Sequence, residues 1–112
     1  MTTTRQNKVS RLLQKELADI FQRKGREFLG HKLATVTVVR VSPDLSVAKV
    51  YLSIFPHSEK DDPIEQINQH AGAIRHEIGN KIRNQLRIVP EFIYYLDDSL
   101  DYIENIDNLL KD

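Results

Sequence analysis

Basic side chains form the most regular polar pattern in this 112-residue chain. Three arginines between residues 75 and 87 lie eight and four positions apart, which predicts one helical face with a lysine beside it. A second basic row opens the chain. The two rows consist of Arg75, Lys81, Arg83 and Arg87, and of Arg5, Lys8, Arg11 and Lys15. Guanidinium donors fit phosphate oxygens, so both rows are typical of nucleic-acid binding. On spacing alone, a solvated outer face is slightly favoured.

Side chains for catalysis or metal binding do not form a recognisable pattern. There is no cysteine, which excludes a thiolate nucleophile or ligand. His70 and His76 are six residues apart and do not share a helical face. An acidic group near the end of the chain consists of Asp97, Asp98 and Asp101. It lacks the ligand spacing and the glycine of a calcium loop, and a strand end followed by a helix cap explains it better. The sequence therefore predicts a protein without enzymatic activity, metal or cofactor.

Charge is distributed unevenly along the chain although its formal net value is zero. Residues 1–49 carry a net charge of +6, residues 50–87 of 0, and residues 88–112 of −6. This asymmetry indicates a basic surface for a partner and an acidic end elsewhere. Mutual attraction of the two ends within the fold would give the same pattern, and charge alone does not decide between them.

Composition predicts one globular domain over residues 1–112. Apolar residues make up 40% of the chain and charged residues 29%. The apolar runs are too short for a membrane span, and the charged start does not resemble a signal peptide. We therefore expect a soluble cytoplasmic protein, with a monomer as the default.

The helices that must position the basic rows follow from apolar spacing. A first helix is predicted from about Thr4 to Lys24, ended by Gly25. A second runs from about Pro63 to Leu86 with Asp62 as its N-cap, and a kink is expected at Ala71-Gly72-Ala73. A short last helix follows Asp98 or Ser99. Its apolar residues are Leu100, Ile103, Ile106 and Leu110.

Three β-branched or alternating runs predict strands at 33–41, 47–55 and 91–96. Turn residues at 42–46 join the first two as an antiparallel hairpin. The element order indicates an α+β fold in which helices cover one face of a three-stranded sheet. Tyr51, Tyr94 and Tyr95 on this sheet could stack bases, although such tyrosines are more often core or rim residues.

Several motifs together carry a resemblance to a known family. They are Val-Ser-Pro-Asp-Leu-Ser-x-Ala-Lys-Val-Tyr at 41–51, Leu-Arg-Ile-Val-Pro-Glu at 86–91 and Asp-Asp-Ser at 97–99. With residues 11–20 and 72–75, they resemble the bacterial ribosome-binding factor A family over nearly the whole chain. The resemblance implies a type II KH-like fold of order helix, strand, strand, kinked helix, strand, helix. It also implies binding to the free small (30S) ribosomal subunit during late maturation of 16S rRNA, and a role in cold adaptation.

The resemblance also suggests where RNA would bind. Ordinary KH domains clamp RNA with a Gly-x-x-Gly loop, and this family has an Ala-x-Gly kink at that place. The matching residues here are His70, Ala71 and Gly72, so histidine stands at the alanine position. We expect RNA at Ala71-Gly72 and the row from Arg75 to Arg87, extended by the N-terminal row and Arg40. An assembly GTPase is left open as a further partner. The alternative is a protein-interaction module that docks a protein through its sheet or acidic C-terminal helix.

Overall fold

The structure is a computed structural model that describes residues 4–30, 32–55 and 62–97. Its elements in chain order are α1 (Thr4–Leu29), β1 (Leu33–Val41), β2 (Val47–Phe55), α2 (Pro63–Asn68), α3 (Ala71–Ile82) and β3 (Glu91–Leu96). The expected last helix, and Asp98 and Asp101 of the acidic group, lie outside the described residues. Within those residues, no helix is both long and apolar enough to cross a membrane.

The sheet has the strand order β1-β2-β3. β1 and β2 form the expected antiparallel hairpin, with a bulge between Val36 and Val38. β3 pairs with β2 in parallel, which the sequence did not predict. In the hairpin turn, the Asp44 carboxylate accepts hydrogen bonds from the Ser42 hydroxyl at 2.7 Å and from the Ser46 hydroxyl at 2.7 Å. These bonds lower the pKa of Asp44 to about 2, so the carboxylate stays charged and holds the turn closed.

The core lies between one face of this sheet and the helices. Alternate residues of β2, from Ala48 to Ile54, are buried in one cluster with apolar residues of α1 and α3. α1 contributes a stripe that includes Leu13, Leu17 and Phe21, and α3 contributes Ile74, Ile78 and Ile82. Burying one such side chain stabilises the fold by about 1.5–3 kcal/mol. The predicted α+β architecture with helices on one face is confirmed.

The first helix is longer than its glycine indicated. The expectation that Gly25 ends it was wrong, because α1 continues to Leu29 and ends at Gly30, whose φ is +68°. Phe28 and Leu29 are both buried in this added turn. Their burial outweighs the roughly 1 kcal/mol that a glycine costs inside a helix.

The second helical region is broken just before the expected position. α2 ends at Asn68 and α3 begins at Ala71, so the break falls at Gln69 and His70. Asp62 is the N-cap of α2, as predicted, and its carboxylate accepts from Glu65 N at 3.0 Å. α3 ends at Ile82 rather than Leu86. The imidazole of His70 contacts the ring of Phe28 with 5.0 Å between centroids, which fixes the break against α1.

Candidate nucleic-acid interface

A groove lies where α3 begins beside β3. We call it the kink groove; it encloses about 310 Å³ and is lined by Ala71, Gly72, Arg75, Glu91, Phe92 and Tyr94. His70, the N-cap of α3, makes no side-chain cap hydrogen bond. The first N–H groups of α3, with the positive end of the helix dipole, are therefore not neutralised by a capping side chain. This arrangement suits an anion such as a phosphate.

Arg75 links this groove to the segment between α3 and β3. Its Nη2 donates a hydrogen bond to the carbonyl of Val89 at 2.8 Å. A guanidinium carries five N–H donors, so one bond positions the group and leaves donors for a ligand. The side chain is exposed, as a contact with a large partner requires.

A second cavity joins three distant parts of the chain. We call it the end cavity; it measures about 190 Å³ and is lined by Arg5, Asp44, Leu45, Ser46, Leu86, Arg87 and Ile88. Buried Gln6 donates to Val41 O at 2.9 Å, which holds the start of α1 over the end of β1. Glu91 N donates to Ser46 O at 2.9 Å, which joins the hairpin turn to β3. One cation from each predicted row, Arg5 and Arg87, thereby lies at the same cavity.

The arginine row predicted after the kink is not one helical face. Because α3 ends at Ile82, Arg83 is its exposed C-cap and Arg87 lies in the following segment. The expectation of a helix through residue 86, on which the spacing argument rested, was wrong. Arg87 nevertheless reaches the end cavity, two residues before Val89, whose carbonyl accepts from Arg75.

Lys81 faces α1 rather than the arginines. Its Nζ lies 2.8 Å from the Asp19 carboxylate and 3.8 Å from that of Glu16. Arg23 bridges Asp19 and Glu77 at 2.8 Å each, and the cations that bind these two carboxyls keep the pKa of both below their usual values. For Asp19 the largest cause is the hydrogen bond from Lys81, and for Glu77 it is the hydrogen bond from Lys24. Lys81 therefore ties α3 to α1.

The remaining predicted residues line neither cavity. Lys8 and Arg11 are exposed on α1, beyond Arg5. Arg40 is exposed on the opposite face of the sheet, across from Lys49 on β2. The structure thus brings together Ala71, Gly72 and Arg75 in one groove and Arg5 with Arg87 in one cavity, and it separates Lys81 and Arg40 from both.

The three sheet tyrosines have different environments. Tyr51 and Tyr95 stack on the outer face with 5.2 Å between ring centroids. Tyr94 is 5% exposed and packs edge-on against Phe21, and its hydroxyl has no hydrogen-bond partner in the described part of the chain. Burial raises the pKa of Tyr94, so this hydroxyl is always protonated. Tyr94 is a core residue, and its buried ring is not available to stack on a base.

Two lining residues of the kink groove, Glu91 and Phe92, were not predicted. They reach the groove because β3 pairs in parallel with β2 and so starts beside α3. No local pattern encodes that pairing, since it joins segments far apart in sequence. In the residues that the structure covers, no group of three or more histidine, cysteine, aspartate or glutamate side chains is arranged to hold a metal ion.

Comparison with known proteins gives consistent matches. A family model described as "Ribosome-binding factor A" matches residues 5–110. A protein of that name from Cytophaga hutchinsonii is 47% identical over 111 residues, which cover 99% of this chain and 84% of that protein. Another from Flavobacterium johnsoniae is 44% identical, covering 98% of this chain and 85% of that protein.

Solved structures show the same fold. The crystal structure of ribosome-binding factor A from Thermus thermophilus has a TM-score of 0.67 at 22% identity, covering 81% of this chain and 94% of that one. A homology model of the Thermus thermophilus factor, fitted into a cryo-EM map of its complex with 30S, has a TM-score of 0.62 at 24% identity. That match covers 78% of this chain and 89% of the fitted one. These likenesses show that the sheet and helices described above form a KH-like fold.

Proposed function

This chain belongs to the ribosome-binding factor A family, and from this premise we propose that it binds the free small ribosomal subunit and assists late maturation of 16S rRNA. The observation that carries the proposal is the family match over residues 5–110. The complex of the Thermus thermophilus factor with 30S supports the choice of subunit. The kink groove and the end cavity supply a surface of suitable chemistry for RNA phosphates.

The RNA surface runs from the kink groove to the end cavity. Phosphates contact the start of α3 at Ala71 and Gly72, then Arg75, and then Arg87 with Arg5. These three arginines make no ion pair within the described residues, so their charge is available to a ligand. Three further cations extend the surface: Arg83 at the end of α3, and Lys8 and Arg11 along α1.

Two of the expected contacts have another role in this proposal. Lys81 already neutralises carboxylates of α1, so its removal weakens the packing of α3 rather than an RNA contact. Arg40 lies on the sheet face that points away from the helices and therefore from the groove. The proposed RNA surface consists of eight residues: Ala71, Gly72, Arg75, Arg83, Arg87, Arg5, Lys8 and Arg11.

Binding shifts the conformation of the immature RNA without chemistry by the protein. A protein that binds one RNA conformation more tightly than another raises the population of the first by that difference in affinity. This action requires no catalytic group, metal or cofactor, and it takes place on ribosomal particles in the cytoplasm. The chain acts as a monomer. Family membership extends the proposal to growth in the cold. An assembly GTPase is an open candidate for the release step.

A charge-reversal pair tests this surface. Arg5→Glu with Arg87→Glu removes two cations from the end cavity, and neither side chain has an ion-pair partner among the described residues to lose. Binding to free small subunits, measured by co-sedimentation, should weaken at least about 10-fold, because a hydrogen bond to a charged group contributes roughly 1.5–3 kcal/mol. The thermal unfolding midpoint should stay near that of the unmodified protein.

The matched control is Arg26→Glu with Lys49→Glu, which changes the net charge equally at exposed positions away from both cavities. It should pellet with small subunits as the unmodified protein does. Equal binding by both double variants would refute the surface. Failure of the unmodified protein to pellet with small subunits, large subunits or complete ribosomes would refute the function and favour a protein partner.

A further inference from the structure

The outer face of the sheet is unusually apolar for a surface. Six large hydrophobic side chains are exposed among the described residues, and five of them lie on the strands. These five are Leu33, Val38, Phe55, Ile93 and Tyr95. The helices cover only the other face, on which the buried strand residues lie. Leu33 and Phe55 are opposite each other at one end of the face, and the polar pair Thr35 and Ser53 separates them from Val38, Tyr95 and Ile93, which lie in two adjacent rows. An exposed apolar patch of this kind marks an interaction site.

The strand register places charge directly beside the apolar centre. Val38 of β1 is opposite Tyr51 of β2, which is beside Tyr95 of β3. In the next row, Arg40 is opposite Lys49, and Lys49 is beside Ile93. Neither cation makes an ion pair within the described residues. The outer face therefore suits an occupant that is both apolar and acidic.

The chain leaves the described residues at this same face. Asp97 N donates to Leu52 O at 2.7 Å, which continues the pairing of β3 with β2. The Asp97 carboxylate accepts a hydrogen bond from the Thr37 hydroxyl at 2.5 Å. Asp97 also lines a hollow of about 430 Å³ with Val38, Arg40 and Tyr51. Residue 98 is covalently attached here, so residues 98–112 start within reach of the patch.

Those residues have the composition that the outer face requires. Residues 98–112 contain five acidic side chains and one lysine. Their apolar residues recur at intervals of three and four, which predicts one apolar side and one acidic side. We propose that the outer face of the sheet binds the chain's own residues 98–112, with the apolar side on Val38, Tyr95 and Ile93 and carboxylates at Arg40 and Lys49.

RNA is a poorer occupant of this face. Arg40 and Lys49 are the two cations that the register places beside its apolar centre, too few for a continuous row of backbone phosphates. The rings of Tyr51 and Tyr95 also stack on each other, which occupies one side of each ring.

A tethered segment has an effective concentration of about millimolar when the linker is short, so modest contacts suffice to hold it. This inference is independent of the proposed ribosomal function.

The absence of native cysteine allows a direct test in the full chain. Val38→Cys with Ile106→Cys places one thiol on the face and one on the segment. Under mild oxidation, the intramolecular disulfide should form at least about 10-fold faster than in a control pair, because binding raises the effective concentration of the two thiols. The control is Ile88→Cys with Ile106→Cys, since Ile88 is 74% exposed but lies off the strands. Ile103→Cys or Leu110→Cys in place of Ile106→Cys tests the other apolar positions of the segment against the same face.

The outcomes separate the possible occupants of the face. Fast intrachain bonding in at least one register, slowed several-fold by Arg40→Glu with Lys49→Glu, supports the proposal. Equal rates at positions 38 and 88 in all three registers overturn it. Disulfides that form between chains and disappear on dilution also overturn it, and they assign the face to a second copy. Thermal unfolding of each reduced variant identifies any that fails to fold, and Ile93→Cys then replaces Val38→Cys.

Discussion

At the scale of single residues, Gly72 separates what the fold requires from what a ligand requires. A Cβ added there meets no atom within 4 Å, and its φ is not positive. The preceding break at Gln69 and His70 therefore does not depend on this glycine. The role of Gly72 therefore concerns a ligand that approaches the exposed backbone at the start of α3.

Gly72→Ala should leave the protein folded and slightly more stable, by up to about 1 kcal/mol, because alanine favours a helix over glycine. Binding to small subunits should weaken, because the new methyl group stands between the start of α3 and a phosphate. Thermal unfolding and co-sedimentation of the same preparation measure the two effects. Unchanged binding would show that no ligand approaches the backbone at this position.

The sequence indicated individual site residues only partly. Gly72 was predicted from the expected kink and Arg75 from its spacing to the later arginines, and the two do share a groove. Lys81 was grouped with the arginines by spacing, but spacing carries no information on the partner helix. The carboxylates of Asp19 and Glu16 lie more than sixty residues earlier, and their contact with Lys81 exists only once α1 and α3 pack.

At the scale of elements, strands were predictable and helix ends were not. All three strands begin and end where the sequence predicted, because alternation and turn residues are local signals. Helix ends depend on burial by distant partners, which is why α1 passes through Gly25 to reach the buried Phe28. The parallel pairing of β3 with β2 is also non-local, and it is what creates the kink groove.

Gly25 inside α1 and Gly30 directly after it give a matched prediction at this scale. Gly25 is inside the helix with nothing within 4 Å of an added Cβ, whereas Gly30 has a φ of +68°. Gly25→Ala should raise the free energy of unfolding by up to about 1 kcal/mol. Gly30→Ala should lower it by about 1 kcal/mol or more, because alanine is strained at positive φ. Urea unfolding of both variants measures the difference, and the opposite order would place the end of α1 at Gly25 instead.

At the scale of the whole molecule, the fold redistributes the charge that the sequence separates into a basic start and an acidic end. Arg5 from the basic start meets Arg87 from the middle of the chain at one cavity. Arg40 and Lys49, also from the basic half, lie together on the opposite face of the sheet. The charge profile indicated a basic surface without deciding against attraction between the two ends, and only the packing of α1 over the sheet decides which cations lie together.

The salt dependence of subunit binding counts these cations. Six lie on the proposed RNA surface once Lys81 and Arg40 are excluded: Arg5, Lys8, Arg11, Arg75, Arg83 and Arg87. Six phosphate contacts give a slope of log K against log salt of about −4.2 to −5.4, so affinity should fall roughly 300- to 2,000-fold between about 50 and 200 mM salt. In Arg5→Glu with Arg87→Glu, two contacts are lost and the slope should flatten by about 1.4–1.8. The control pair Arg26→Glu with Lys49→Glu should keep the original slope. A slope near zero in the unmodified protein would contradict phosphate binding, because an interface with an apolar centre releases few counterions.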